Sequence, residues 1–364
     1  MSDLSAKVYF SRPVLLPDFS LEQQALLQQA KVLVIGAGGL ACPLLTYLGG
    51  SGIGQLSVID NDVVSASNLH RQLLYKPEQV GMPKVKALQA NWQFPFTTLQ
   101  VHQAAFSVAN AMQLVQVHDV VVDTTDNFET RYLVNDACVL SDKPLVSASI
   151  FRNEGQLGVY NYELSEGVRS GTYRCIFPEA PLDSLSCAEA GVLAVTAGLM
   201  GVMQATEVIK VILRDADVLA NRLLIHQVKS HQQRILQFER DEALIVQLKQ
   251  QGLQANSSMA VNAESTLMDI SWEELQDWLS SQKPMQLIDV REAWEHEAYS
   301  IGGLLLPFSE IMRNVDQLAT NLPVVLYCEK GERSKLIQQR LHDRGFTNII
   351  NLKGGLKAAK TTTN

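Results

Sequence analysis

The chain has 364 residues, room for two or three domains at about 100–200 residues each. Hydrophobic residues make up 46% and charged ones 19%, which supplies a sizeable core and excludes wholesale disorder. The net charge of −8 argues against broad electrostatic binding, so neither nucleic acid nor a membrane is expected as a partner. Five widely spaced cysteines (Cys42, Cys138, Cys175, Cys187 and Cys328) form no disulfide framework and fit free thiols in a cytoplasmic chain. The opening MSDLSAKVYF has no basic segment followed by an apolar core, so no signal peptide is expected there.

From residue 31 a short apolar run alternates with a helix-like stretch. The runs are KVLVIG (31–36), QLSVID (55–60), TLQVHQ (98–103), DVVVDT (119–124) and PLVSAS (144–149). Near-continuous apolar strands separated by helices predict a parallel sheet covered on both faces. GQLGVYNY (155–162) alternates as a further strand. Residues 163–188 are expected to be a loop, 189–214 a long apolar helix, and 222–239 two strands around a turn. The uncharged stretch Ala190–Thr206 is shorter than the about 20 residues of a membrane span, so a buried core helix is expected. Residues 250–265 are small and polar without periodicity, which marks a linker.

Beyond it a second α/β pattern begins. Residues 271–281 read as a helix with Ser271 as N-cap and Glu274 three residues on. MQLIDV (285–290) and PVVLYC (323–328) read as strands, and 334–345 as a helix stopped by Gly345. The expected organisation is a first domain over 1–249, a linker over 250–266 and a smaller α/β domain over 267–364. The fold class is α/β, with a Rossmann-like, mostly parallel sheet in the first domain.

Two constellations carry chemistry. GAGGLA (36–41) follows the first strand and opens a helix, with Gly36, Gly38 and Ala41 in the three positions of the G-x-G-x-x-G/A fingerprint. Small residues let backbone N–H groups approach a phosphate at a helix N-terminus. Asp60, at the end of the second strand, stands where a ribose-binding carboxylate is needed, with Asp62 close by. A dehydrogenase is the default reading of such a fingerprint. The polar, cationic set that follows does not suit it: SNLHRQ (67–72), Lys84 and DTTDN (123–127). Arg71 and Lys84 can neutralise a triphosphate and Asp126 can hold Mg2+. The second constellation is CEKGERS (328–334), between an apolar strand and a helix. Such a loop turns N–H groups toward the Cys328 sulfur over a helix N-terminus, and Arg333 and Lys330 add positive charge, which favours a thiolate and then a persulfide.

GAGGLA, DNDVVSASNLHRQ (60–72), GMPKV (81–85), DTTDNFETRYLVNDAC (123–138), KPLVSASIFRNEGQ (143–156) and YRCIFPEAP…SCAEAGV (173–192) resemble the adenylyltransferases that activate ubiquitin-like sulfur-carrier proteins. These include the molybdopterin-synthase and thiazole-pathway activators. The resemblance covers about 8–240 and implies adenylation, with ATP and Mg2+, of a carrier's C-terminal Gly-Gly. It also implies site roles. Gly36, Gly38 and Gly39 fall on the phosphate loop, Asp60 and Asp62 near the ribose, and Ser67, Asn68, Leu69, His70 and Arg71 by the phosphates. Lys84 matches the triphosphate lysine, and Asp126, followed by Asn127, the Mg2+ aspartate. Arg12, in YFSRPVLLP (9–17), matches an arginine inserted into the partner subunit's site, which implies a homodimer. Cys187 matches a loop cysteine that in some relatives joins covalently to the carrier. Many relatives bind zinc through two C-x-x-C pairs. Here Thr172 replaces the first thiolate and no cysteine lies between Cys187 and Cys328, so no structural zinc is expected.

The Cys328 loop, with LIDVREAWEHEAYSIGG (287–303) and NIINLKGGL (348–356), resembles a single rhodanese-like sulfurtransferase domain over about 267–360. Asp289 and Arg291 match positions that brace that fold. The family's H-x-P-G-A segment is degraded to YSIGG, and Leu356 replaces a tryptophan. Together the resemblances imply an adenylyltransferase and sulfurtransferase that loads its carrier with a thiocarboxylate, taking sulfur from a persulfide or thiosulfate. The alternatives are a tRNA-modifying dehydratase on the same ATP fold and an inactive binding scaffold.

Overall fold

The computed structural model describes residues 5–178, 191–253, 267–308 and 310–361. Cys187 and most of the expected linker (254–266) lie outside the described residues. The chain divides into two compact units, Met1–Ser257 and Ser258–Asn364.

The first unit is built on an eight-stranded sheet. Its strands are β1 (Lys31–Ile35), β2 (Gln55–Ile59), β3 (Thr98–His102), β4 (Val120–Asp123), β5 (Leu145–Phe151), β6 (Glu154–Tyr160), β9 (Arg222–Gln227) and β10 (Gln232–Gln237). A hairpin of β7 (Glu163–Ser165) and β8 (Val168–Arg169) stands apart from it. The order is β10-β9-β6-β5-β4-β1-β2-β3. The five strands β3, β2, β1, β4 and β5 run parallel, and β6, β9 and β10 extend the sheet antiparallel. The pleat explains why the runs read as continuously apolar. In β1, Val32 and Val34 enter the core on one face, and Leu33 and Ile35 the core on the other. The chain leaves β1 toward β2 on one side and returns to β4 on the other. The C-terminal ends of β1, β2 and β4 thus face a topological switch point, where α/β sheets bind ligands.

Four helices matter for the sites: α1 (Ala41–Gly50), α2 (Lys84–Asn91), α3 (Phe128–Leu140) and α4 (Ala194–Leu213). Along α4 Ala197, Met200, Gly201, Gln204, Ala205 and Val208 form a buried stripe at helical spacing. Gly201 lets α4 ride close on α1: a Cβ there would stand 2.4 Å from the Leu40 carbonyl oxygen. By length and composition α4 is apolar enough to cross a membrane, because it runs on through Glu207 and Lys210 to Leu213, beyond the expected uncharged stretch. Half of that window is buried within the unit, and buried Glu207 is satisfied by Lys210 and the Leu219 N–H. That is the make-up of a core helix.

The expected loop over 163–188 is corrected in part. Gly167, at φ +73°, allows the tight β7–β8 turn, and a one-turn helix covers Tyr173–Ile176. The polar, glycine-bearing sequence carries no alternation that would announce a hairpin.

The second unit is a five-stranded, all-parallel sheet in the order β11-β15-β14-β12-β13. Its strands are β11 (Met268–Ile270), β12 (Gln286–Asp289), β13 (Leu304–Leu305), β14 (Val324–Tyr327) and β15 (Ile349–Leu352). The helix at Trp272–Ser280 carries the expected capping box of Ser271 and Glu274. Helix α5 (Glu332–Asp343) follows β14 and is stopped by Gly345 at φ +91°.

Candidate active sites

The first site begins where β1 ends. Gly36 adopts φ +96°, and a Cβ there would meet the Thr124 hydroxyl at 2.9 Å, so both the turn and the neighbouring strand end require glycine. The turn is pinned by Asp60. One carboxylate oxygen accepts the Ala37 N–H at 2.7 Å and the other the Asp62 N–H at 2.7 Å. From the far side the Tyr75 hydroxyl donates to the Ala37 carbonyl at 2.7 Å. Lys84, at the first position of α2, is buried and donates to Asp62 at 2.8 Å, with Asp60 at 4.0 Å. Arg71 arches over the glycine loop: a Cβ on Gly39 would stand 3.3 Å from its Cγ. Its guanidinium donates to Asn68 Oδ1 at 2.8 Å, lies 2.9 Å from His70 Nε2, and reaches the Ser67 carbonyl at 3.4 Å. The structure thus brings Gly36, Gly38, Gly39, Asp60, Asp62, Asn68, Arg71 and Lys84 to one end of the sheet.

Other expected residues have local duties. Leu69 packs against the core, the Ser67 hydroxyl bonds that of Ser65 at 3.0 Å, and Asn127 caps α3 by accepting the Thr130 N–H at 2.8 Å. Asp126 is exposed on the turn after β4. Arg12 is exposed at the start of the 3-10 turn Pro13–Leu15.

The described thiols differ. Burial pushes Cys42 up to about 12 and Cys138 well above the ordinary range, so neither ionises near neutrality. Half-buried Cys175 accepts the N–H groups of Thr172 and Asp241, each at 3.3 Å, and lies 3.4 Å from the Thr172 hydroxyl. Among the described residues no group of three His, Cys, Asp or Glu is placed to hold a metal ion.

In the second unit Cys328 follows β14 and is buried. Its sulfur accepts the Gly331 N–H at 3.1 Å and lies 3.5 Å from the Ser334 hydroxyl. Gly331, at φ +84°, packs so closely under Gly354 that a Cβ would stand 2.8 Å from its nitrogen. The Leu356 N–H donates to the Cys328 carbonyl at 2.9 Å, which closes the loop from below. Arg333 differs from expectation. It forms a two-pronged pair with Glu295, 2.7 Å on each prong, so its charge is locally neutralised. No local pattern marks this pair, because Glu295 lies 38 residues away along the chain. Asp289 and Arg291 brace the unit as expected: their buried pair closes at 2.7 Å, and Arg291 also donates to the Tyr299 carbonyl at 2.6 Å.

The fold and the two strand-end loops define a class: a nucleotide-binding α/β domain joined to a cysteine-cradle domain. The ThiF family model matches residues 10–244 and the rhodanese-like domain model residues 271–362. The chain belongs to the ThiF family and carries a rhodanese-like domain after it. It is 36% identical over 385 residues to "Adenylyltransferase and sulfurtransferase MOCS3" of Anopheles gambiae, covering 96% of this chain and 85% of that protein. It is 35% identical over 363 residues to "Probable adenylyltransferase/sulfurtransferase MoeZ" of Mycobacterium tuberculosis, covering 96% and 91%. Among solved structures, E. coli MccB with MccA-N7isoASN matches with a TM-score of 0.53 at 22% identity over 60% of this chain and 67% of that one, a likeness of fold alone. The chain is an enzyme, an adenylyltransferase with sulfurtransferase activity.

The Asp289 brace makes a testable statement about acid. Burial by itself would raise this carboxyl, but the bonds from Arg291 and His296 outweigh it and hold the carboxyl below its ordinary range. A carboxylate depressed in the folded state stabilises it above the unfolded pKa of about 3.9, and that contribution is lost as pH falls through the folded value. Hydrogen-exchange protection, taken relative to the intrinsic rate at each pH, in peptides covering 286–308 of the full chain should hold to about pH 4 and fall below it. In Arg291→Lys the carboxyl is less depressed, so the acid-induced loss of protection should be smaller; a loss of unchanged size would show that the pair does not set it.

Proposed function

We propose that the first unit adenylates the C-terminal glycine of a ubiquitin-like sulfur-carrier protein, and that the second supplies the sulfur that turns the acyl-adenylate into a thiocarboxylate. The observation that carries the first half is the placement of Asp60, Arg71 and Lys84 around one glycine turn at the switch point. The turn's N–H groups and the two cations receive the triphosphate, and Asp60 keeps acceptor capacity for the ribose hydroxyls. The carrier's carboxylate attacks the α-phosphorus and pyrophosphate leaves. This chain's residues align the reactants and offset charge; they form no covalent bond in that step. Asp126, an exposed hard-oxygen ligand, fits Mg2+, whose charge offsets that of the phosphates when bound. Arg12 acts on the partner subunit's site in a homodimer, which its exposure on the N-terminal segment supports.

For the second half the carrying observation is the Cys328 sulfur on the Gly331 N–H beside Ser334. A persulfide donor or thiosulfate passes its outer sulfur to the Cys328 thiolate. The resulting persulfide attacks the acyl carbon and expels AMP. A second thiol, assigned to Cys187, then attacks the Cys328 sulfur. It releases the thiocarboxylate and leaves a disulfide for an external thiol to reduce. The enzyme works in the cytoplasm, where its described thiols stay free.

The bonds of Thr172 and Asp241 to Cys175 support a chain that needs no zinc in the region that zinc holds in relatives. Metal analysis of the purified protein should find less than one zinc per chain, with an unchanged melting midpoint in chelator; stoichiometric zinc would refute this.

Carrier-dependent ATP–pyrophosphate exchange should fall about 10²–10³-fold in Lys84→Ala, Arg71→Ala and Asp126→Ala. Near-normal exchange in Lys84→Ala would remove that residue from the triphosphate site. Cys328→Ala should leave exchange intact and abolish thiocarboxylate formation, read as the mass of the carrier after incubation with ATP and a sulfur donor. An unchanged yield would refute the sulfur-transfer role.

A further inference from the structure

The last residue of β4 is Asp123, a carboxylate with no solvent exposure, behind the turn that carries Asp126. One of its oxygens accepts the Thr125 N–H at 2.9 Å and the Thr125 hydroxyl at 2.6 Å. The other accepts Arg131 Nε at 3.0 Å and the Ser147 hydroxyl at 2.7 Å. Arg131, from α3, turns its second nitrogen onto the Thr125 carbonyl at 3.0 Å. The N–H, carbonyl and hydroxyl of Thr125 are therefore all held by one buried ion pair. Asp126 comes next, and Asn127 is locked in turn as the cap of α3. The exposed Asp126 thus stands between two fixed neighbours, and its own side-chain rotation is the main freedom left to its carboxylate.

We propose that Thr125 and Arg131, acting with Asp123, are positioning residues that hold the Asp126 carboxylate where it meets the Mg2+ of the bound nucleotide. This rests on the assignment of Mg2+ to Asp126 made above. Groups that orient a metal ligand from behind typically set metal affinity by about 10–100-fold. The geometry suits that task better than general bracing. The ion pair spends three bonds on Thr125, one on its hydroxyl and two on the backbone groups that fix the direction of the Asp126 peptide. A pair that only stabilised α3 against β4 would have no need of both the N–H and the carbonyl of Thr125.

The test uses the full chain and titration calorimetry of ATP with and without Mg2+, which reads binding and needs no turnover. Thr125→Val removes one hydroxyl and leaves Asp123 its other three donors, and Thr125→Ser restores the hydroxyl. Asp126→Ala should abolish the gain in ATP affinity that Mg2+ confers. Thr125→Val should reduce that gain about tenfold, with Mg2+-free ATP affinity unchanged, and Thr125→Ser should keep it within about twofold of the parent. The melting midpoint of Thr125→Val should stay within about 4 °C of the parent. A full Mg2+ gain in Thr125→Val, beside its loss in Asp126→Ala, overturns the positioning role and leaves the Mg2+ assignment standing. An equal fall in ATP affinity with and without Mg2+ overturns it too, since that is damage to the fold. A full Mg2+ gain in Asp126→Ala overturns the assignment itself, and the inference with it.

Discussion

A carboxylate without solvent contact must be neutralised and hydrogen-bonded, or it will not stay charged inside a protein. Asp123 is that group in the first unit, and much of the local architecture follows from satisfying it. Arg131 brings α3 across the end of β4, and Ser147 fixes β5 beside it. Gln204, buried on α4, donates to the Asp123 carbonyl at 2.7 Å and the Val146 carbonyl at 3.1 Å, so α4 is tied to the same two strands. Two helices and two strands thus converge on one residue, and α4 in turn packs over the glycine loop, where a Cβ on Gly39 would stand 3.4 Å from Ala197. These bonds tie the elements behind the glycine turn to one another.

The two units solve one problem with the same device. Each ends a buried parallel strand in a turn with glycine at positive φ, Gly36 after β1 and Gly331 after β14. In both turns a backbone N–H is offered to an anionic or sulfur acceptor: Ala37 N–H to Asp60, Gly331 N–H to Cys328. The difference lies in what closes the turn. In the first unit a carboxylate from the neighbouring strand occupies one N–H and leaves the loop open toward the switch point. In the second, the Gly354–Gly355 turn is pressed so close that a Cβ on Gly355 would stand 2.3 Å from the Cys328 carbonyl oxygen.

Much of this was legible in the sequence, for physical reasons. Strands buried on both faces read as unbroken apolar runs, so β1, β2 and β4 fall where expected. Asp60 was found through its distance from the glycine loop, since the length of a β-α-β unit fixes that spacing. The α5 stop at Gly345 and the Ser271 cap were readable because caps are local chemistry. What stayed hidden depends on pairing between distant segments. Neither the Asp62 partner of Lys84 nor the Glu295 partner of Arg333 is marked by any local pattern. Asp123 and Arg131 bound the stretch DTTDNFETR (123–131), yet without the fold nothing separates a buried carboxylate from its exposed neighbour Asp126. The β7–β8 hairpin escaped because two and three residues are too few to show a period.

The cations of both sites are already occupied, and this bears on how they work. Lys84 rests on Asp62, Arg71 on Asn68, and Arg333 on Glu295. Lys84 is buried, and a buried polar head without a partner is costly, so a resident acceptor is required. Asp62 is the right kind of acceptor for that purpose, because its own side chain is 66% exposed and water stands ready to replace the lysine. Lys84 is therefore held in place by a partner that releases it at small cost, as the proposed triphosphate role requires. Glu295 differs: its side chain is 15% exposed and it grips Arg333 with both oxygens. Releasing that arginine would leave a half-buried carboxylate with the Glu292 N–H in place of a two-pronged cation, which is costly. Arg333 is thus committed to holding the loop over Cys328, while Lys84 is available to a ligand.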